Sequence, residues 1–531
     1  MNTISDTHVN IFNYYDLFPP RVSLEANNHK SQVAQMSLLE KLSHIKQVKT
    51  KQSIAFLDLP RTFVQNRVEL KDYQQFGFSW LVAMREVGLG ALLADDMGLG
   101  KTIQTIASIA YDVEQGNGSG PILIVAPNSL LDNWDTEFSR FAPNISVEIY
   151  RGRERNLNFA IANSKVVLTS YNLLRNDKEL FQEVQWDGII LDEAQNIKNP
   201  EAQTTLVAKA LHSKYRVALT GTPIENSIYD LWSLCDFLNP GMLGNLETFK
   251  NDYPDKSHLP PYLYERLANT VKPYLLRRLK SDHKILPDLP AKTEIKVHCT
   301  LTFEQKAVYQ AIVENALTEM DQRHASKRGG LVLKLFTHLK QVCDDLNLYD
   351  MQNLYDPRIC SGKFLQFIQI VDKIAKVKER VLIFTQYVEM AKLLKDYLDA
   401  LYDQNTPILH GQMSQEERAY EINRFQNSHH DTPFFVLSLK AGGTGLNLTK
   451  ANHVIHYDLW WNPAVEDQAS DRAHRIGQIR NVTVHKLIVQ NSVEEKIANI
   501  IENKRDIFQS ILKNTEECSI EELRAFFSLT G

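Results

Sequence analysis

Ala91-Leu-Leu-Ala-Asp-Asp-Met-Gly-Leu-Gly-Lys-Thr102 reads as a short apolar strand, a glycine-rich turn and the start of a helix predicted from Thr102 through Ala110. Such a turn points backbone N–H groups at a polyphosphate, and the helix amino end adds partial positive charge. Lys101 would reach the β and γ phosphates, and the hydroxyl of Thr102 would bind Mg2+. The usual pattern G-x-x-x-x-G-K-[ST] wants glycine where this chain has Asp95; Gly98 and Gly100 still give the turn its freedom.

Working outward, short apolar runs alternate with helical stretches: Leu92 to Ala94, Ile122 to Ala126, Val166 to Thr169, Ile189 to Leu191 and Val217 to Thr220. A second alternation holds Val381 to Phe384, Phe434 to Leu437, Val454 to His456 and Val482 to Val489. Both predict parallel sheets covered by helices, with ligands beyond the carboxyl ends of the strands. Gly188-Ile-Ile-Leu-Asp-Glu-Ala-Gln195 sets adjacent carboxylates at such an end, 192 − 101 = 91 residues after the lysine. Asp192 there can hold a metal's water shell, and Glu193 can accept a proton from attacking water. Arg472 and Arg475, three apart and expected on one helical face, are suited to neutralising charge on a transferring phosphoryl group.

The 531 residues are of ordinary globular composition, and 59 Lys+Arg against 64 Asp+Glu leave a net charge of −5. Any anion-binding face must therefore be local. No apolar run approaches the roughly 20 residues of a spanning helix, and Met1 to Asn10 shows no secretory pattern. Five scattered cysteines (Cys235, Cys299, Cys343, Cys360, Cys518) form no C-x-x-C, so reduced thiols and no zinc site are expected; His429 and His430 read as solvated. The expected divisions are 1–66, a partly helical extension marked by Val33, Met36, Leu39, Leu42 and Ile45; 67–285, a first α/β lobe; 286–362, a helical linker; and 363–531, a second lobe ending in a short helix capped by Ser519 to Glu522.

Taken together, these segments resemble the SWI/SNF-type ATPases of helicase superfamily two, from about Val68 to Lys504. The resemblance rests on Leu70-Lys-Asp-Tyr-Gln-Gln-Phe-Gly77, Asp95 to Thr102, Leu123 to Trp134, Leu168-Thr-Ser-Tyr171, Gly188 to Gln195 and Leu219-Thr-Gly-Thr-Pro-Ile-Glu-Asn226. It continues through Leu276-Arg-Arg-Leu-Lys280, Val381 to Gln386, Leu409-His-Gly411, Ser438 to Asn447, Asp458-Leu-Trp-Trp-Asn-Pro463 and Glu466 to Gln478. Asp95 then belongs to the family's own phosphate loop. Lys71 and Lys340 stand where arginine is expected, and Val342-Cys-Asp-Asp345 replaces a more usual Cys-Asn-His-Pro.

The resemblance implies two tandem RecA-like lobes with a helical insert between them. ATP would lie in their cleft, with Gln74 bonding the base and Asp96, Met97, Gly98, Leu99, Gly100, Lys101, Thr102 and Gln468 around the nucleotide. Lys101, Asp192, Glu193, Arg472 and Arg475 would be catalytic, and Thr102 and Asp192 would hold Mg2+. Leu276 to Lys280 would begin the bridge between lobes. Ser129, Asn133, Trp134, Thr169, Ser170, Thr385 and Thr444 fall at DNA-motif positions, which implies sequence-tolerant contacts to duplex DNA, mainly through phosphates. Trp460 and Trp461 could lie beside the strand or pack the lobe, and packing is the expected role. The implied activity is an ATP-dependent duplex DNA translocase that does not separate strands. Its rivals are a strand-separating helicase and an ATP-binding scaffold. A cytoplasmic, nucleoid-associated setting and protein partners that set its role are expected, with no membrane.

Overall fold

The apolar runs pair into two separate sheets, each parallel throughout. The computed structural model describes residues 56–118, 120–224, 227–254, 260–280, 282, 285–322, 328–350, 356–427, 433–439, 446–460, 463–502, 524 and 527–529. The chain divides into two units, Met1–Asp288 and Leu289–Gly531. The amphipathic stretch Val33 to Ile45, the cap at Ser519, Cys518, His429, His430, Trp461 and Thr444 lie outside the described residues. Among the described residues, no helix is long and apolar enough to cross a membrane.

In the first unit the strands are β1 Ala91–Leu93, β2 Ile122–Ala126, β3 Val147–Ile149, β4 Val166–Ser170, β5 Gln185–Asp192, β6 His212–Leu219 and β7 Leu275–Leu276. Their order is β3-β4-β2-β5-β6-β1-β7. β1, β2 and β4 are buried along their whole length, which is why they read as continuous apolar runs rather than alternating ones. Leu93 pairs with Leu219, and Leu219 with Asp192, so β1, β5 and β6 end in one row. β3 and β7, of three and two residues, escaped the sequence reading because each is too short to show a period. β7 closes the first sheet beside β1, and Leu276 to Lys280 lie within the first unit, as the expected bounds 67–285 have them.

The second unit's strands are β8 Lys292–Cys299, β9 Val381–Thr385, β10 Ile408–Leu409, β11 Phe434–Ser438, β12 His453–His456 and β13 Val482–Val489. Their order is β10-β11-β9-β12-β13-β8. The expected helical linker 286–362 does contain two long helices, Phe303–Asp321 and Arg328–Asp344. It also carries β8, which pairs with all of β13 from Val482↔Lys292 to Val489↔Cys299. The two helices bury Tyr309, Leu317, Leu335 and Leu339 in the same core as Val381 and Ile383 of β9. An edge strand with mixed charges, Lys292, Glu294 and Lys296, hides from a search for apolar runs. One of the unusual positions fixes this arrangement: buried Asp344 accepts from Lys363 Nζ at 2.7 Å, and Lys363 donates also to Glu494 at 2.7 Å.

Candidate nucleotide site

The loop after β1 turns on two glycines in left-handed backbone, Gly98 (φ 82°) and Gly100 (φ 81°), and enters the helix Lys101–Glu114. Side chains with a Cβ rarely adopt that conformation. The helix begins at Lys101 and runs one turn beyond the expected Ala110, because Tyr111 to Glu114 continue it before Gly116. Lys101 Nζ donates to the Asp95 carbonyl at 2.7 Å and so lies over its own loop. Asp96, Met97, Gly98, Gly100 and Thr102 are half-buried, whereas Leu99 is buried.

Gln74 sits beneath this loop. Its Oε1 accepts from Lys71 N at 3.1 Å, and its Nε2 donates to the Leu99 carbonyl at 3.2 Å. A Cβ at Gly100 would strike that Nε2. The residue expected to read the base thus also braces the phosphate turn.

β5 ends in the paired carboxylates. Asp192 Oδ2 accepts from Trp134 Nε1 at 2.8 Å, and Oδ1 from Glu193 N at 2.9 Å. Burial first, and then the Glu193 charge, push the Asp192 carboxyl up to about 7, against the pull of Trp134 and Lys101. Glu193 has φ 49°, rare for a residue with a side chain, and so ends the extended backbone of β5. Gln195 Nε2 donates to Glu193 Oε2 at 2.8 Å, and Gln195 Oε1 accepts from Thr220 Oγ1 at 2.9 Å. Thr222 N in turn donates to Thr220 Oγ1 at 3.0 Å, so a hydrogen-bonded line joins Glu193 to the Thr-Gly-Thr-Pro stretch after β6.

In the second unit, the helix Pro463–Ser470 carries half-buried Gln468 and ends before the arginines. Arg472 and Arg475 therefore do not share a helical face. They lie in consecutive turns, with Arg472 N bonded to Ala469 O and Gln478 N to Arg475 O. The Gln478 amide, which donates to the Thr449, Ala451 and Ala473 carbonyls, is a physical reason for this turned path: it makes bonds to the Thr449–Ala451 segment that a continued helix would not make. Arg472 is buried, and half-buried Arg475 donates from Nη1 to the Leu446 carbonyl at 3.0 Å.

Comparison with known proteins fits this layout. The profile of the SNF2-related domain matches residues 73–348, and that of the helicase conserved C-terminal domain matches 362–477. The chain belongs to the SNF2-related family of SWI/SNF-type ATPases. The Bacillus subtilis protein YwqA is 42% identical over 474 residues, which cover 87% of this chain and 51% of that protein. The ISWI chromatin-remodeling complex ATPase ISW2 of Saccharomyces cerevisiae is 31% identical, covering 88% of this chain and 43% of its own. The chain spans about half the length of the curated relatives it matches. Among solved structures, the Sulfolobus solfataricus SWI2/SNF2 ATPase core in complex with dsDNA is 41% identical, with a TM-score of 0.45, covering 90% of this chain and 100% of that one.

The SNF2 positions expected to meet DNA divide by burial. Ser129, in the 3-10 turn Asn128–Leu130, and Asn133, on the helix Leu131–Phe141, are half-buried. Trp134 is a correction: it is 1% exposed, and its indole N–H is spent on Asp192, so it supports the carboxylate rather than forming a surface. The Thr169 and Thr385 hydroxyls are likewise turned inward, to the Tyr150 carbonyl at 3.4 Å and to Asp458. Ser170 caps the helix Tyr171–Asn176 by accepting from Leu173 N at 3.3 Å. Trp134, Gln195 and Thr220 were all inside quoted motifs, yet only the folded chain assigns them to the carboxylates.

Proposed function

We propose that this chain is a DNA-dependent ATPase that moves along duplex DNA without separating the strands. The observation that carries the reading is the convergence of Lys101, Thr102, Asp192 and Glu193 at the carboxyl ends of β1 and β5, beside a loop with two left-handed glycines. ATP lies with its phosphates against the N–H groups from Gly98 to Thr102, and Lys101 exchanges the Asp95 carbonyl for a phosphate oxygen. Thr102 and Asp192 are the residues that would hold Mg2+. They fit it because each Asp192 oxygen accepts one hydrogen bond and keeps a further lone pair, in a buried carboxylate pair that a cation would stabilise. Bound Mg2+ supplies charge neutralisation on the β and γ phosphates.

Glu193, oriented by Gln195, takes the proton from water as the water oxygen bonds to the γ phosphorus and the bond to ADP breaks. Arg472 and Arg475 offset the charge that develops on the γ-phosphate, and Gln468 assists on the nucleotide. The line from Glu193 through Gln195 to Thr220 couples the proton acceptor to the Thr-Gly-Thr-Pro stretch after β6. Contacts to DNA phosphates, with Ser129 and Asn133 as the side-chain candidates, make binding sequence-tolerant and salt-dependent. Protein partners then set the biological role, in a cytoplasmic, nucleoid-associated setting.

Steady-state ATP hydrolysis with no nucleic acid, single-stranded DNA, duplex DNA and duplex RNA, with Glu193→Gln as blank, tests the reading. Stimulation by duplex DNA, together with displacement of a triplex strand, is the expected result. Stimulation only by single strands, with duplex unwinding, would replace it with a strand-separating helicase.

A further inference from the structure

Asp95, which occupies the place of the usual first glycine of the phosphate loop, is fully buried and paired with an equally buried arginine 183 residues away. Arg278 Nε donates to Asp95 Oδ1 at 2.8 Å, and Arg278 Nη2 donates both to Asp95 Oδ2 and, at 2.6 Å, to Gln104 Oε1. Nη1 donates to the Tyr73 carbonyl, and the guanidinium lies 5.0 Å from the Tyr73 ring centre. Gln104 Nε2 passes the contact on to the Gly100 carbonyl at 3.0 Å. The backbone follows the same line: Ala94 N donates to Leu276 O at 2.7 Å, Asp96 N to Arg278 O at 3.0 Å, and Lys280 N to Asp96 Oδ2 at 2.9 Å. Gly77 leaves room for this knot, since a Cβ there would meet Arg278 Nη2 at 2.7 Å.

We propose that Arg278 is a positioning residue for the phosphate loop, with Asp95 as its counterion, and that the pair sets nucleotide affinity. This rests on the ATP reading above. A buried guanidinium keeps its place only while its donors are met. Asp95 meets two of them, and in doing so holds the peptide whose carbonyl receives Lys101. The departure from the usual phosphate-loop pattern is therefore the other half of Arg278. Restoring glycine there would leave a buried cation unpaired under the loop.

The test is a double-mutant cycle read by binding of the fluorescent nucleotide mant-ADP with Mg2+, competed by ATP, alongside thermal unfolding of each variant. Asp95→Gly and Arg278→Met should each weaken binding by about tenfold or more. The double variant should bind more tightly than either single one. Arg278→Lys, which keeps charge without the fork, should resemble Arg278→Met. Should Asp95→Gly not fold, Asp95→Asn takes its place under the same criterion. Asp95→Gly binding as tightly as wild type, additive single effects, or lowered unfolding temperatures with unchanged affinity would each overturn the proposal. Failure of the ATP reading is distinguishable, because wild type and Lys101→Ala would then bind mant-ADP alike.

Discussion

Two strands at the centres of the two sheets end in a buried aspartate, and the two aspartates lead different lives. Asp192 ends β5, and Asp458 follows β12 by two residues. Each accepts a backbone N–H and a side-chain donor: Glu193 N and Trp134 Nε1 for the first, Gln386 N and Thr385 Oγ1 for the second. Burial pushes both carboxyls up. They differ in the charges around them. Asp458, which shares its surroundings with Asp344, is pulled back by two cations, Lys340 and Lys363, whereas Asp192 has Glu193 beside it and one cation, Lys101, against it. A strand-end aspartate supplied with protein cations is a structural clamp; one with a carboxylate beside it would gain from a bound cation, as the proposed Mg2+ role of Asp192 requires.

Glu193→Gln should lower hydrolysis by about 10²–10⁴-fold with mant-ADP binding retained, measured by steady-state turnover beside direct binding. The next test sets Asp192→Asn against Asp458→Asn. The first should abolish most turnover with the smaller loss of stability, because the one N–H acceptor it deletes is offset by removing a buried charge that has Glu193 beside it. The second should cost about 1–3 kcal/mol of stability, by taking one acceptor from the Thr385 hydroxyl or the Gln386 N–H and the counter-charge that faces Lys340. Equal unfolding temperatures for the two variants would end the distinction.

A smaller effect is expected from Trp134→Phe, which keeps the buried ring but deletes the donor to Asp192. About 1–3 kcal/mol of lost hydrogen bonding should appear as a raised Mg2+ requirement, read in a Mg2+ titration of ATP hydrolysis. The pH response sharpens the same point. With Asp192 raised to about 7, its carboxyl is protonated below that pH and ionised above it, so mant-ADP·Mg2+ affinity should rise from pH 6 to pH 8. Asp192→Asn should flatten that rise. Smallest of all, Ser129→Ala should raise the duplex DNA concentration for half-maximal stimulation by about two- to threefold, consistent with loss of one neutral hydrogen bond.

Legibility followed the range of the interaction. Lys101, Thr102, Asp192 and Glu193 were readable because each stands within a few residues of a strand end, and the chemistry of a strand, turn and helix is local. The arginine segment was readable as residues but not as geometry, because Gln478, bonding the distant Thr449 and Ala451 carbonyls as well as that of Ala473, holds the chain in turns after Ser470. Trp134 misled because an indole looks the same in sequence whether it stacks on a ligand or donates to a carboxylate 58 residues away.

From sequence alone came two parallel α/β sheets, the order of the motifs along them, and the placing of Lys101, Asp192 and Glu193 beside the carboxyl ends of β1 and β5. These follow from apolar runs, glycines and short spacings that no distant residue has to complete. Only the tertiary structure decided that β8 and the helices after it belong to the second unit, that Thr169 and Thr385 face inward, and that Asp95 answers Arg278. Each of those depends on burying a polar group against a partner far along the chain, and a buried charge or hydroxyl is stable only where the fold brings that partner to it.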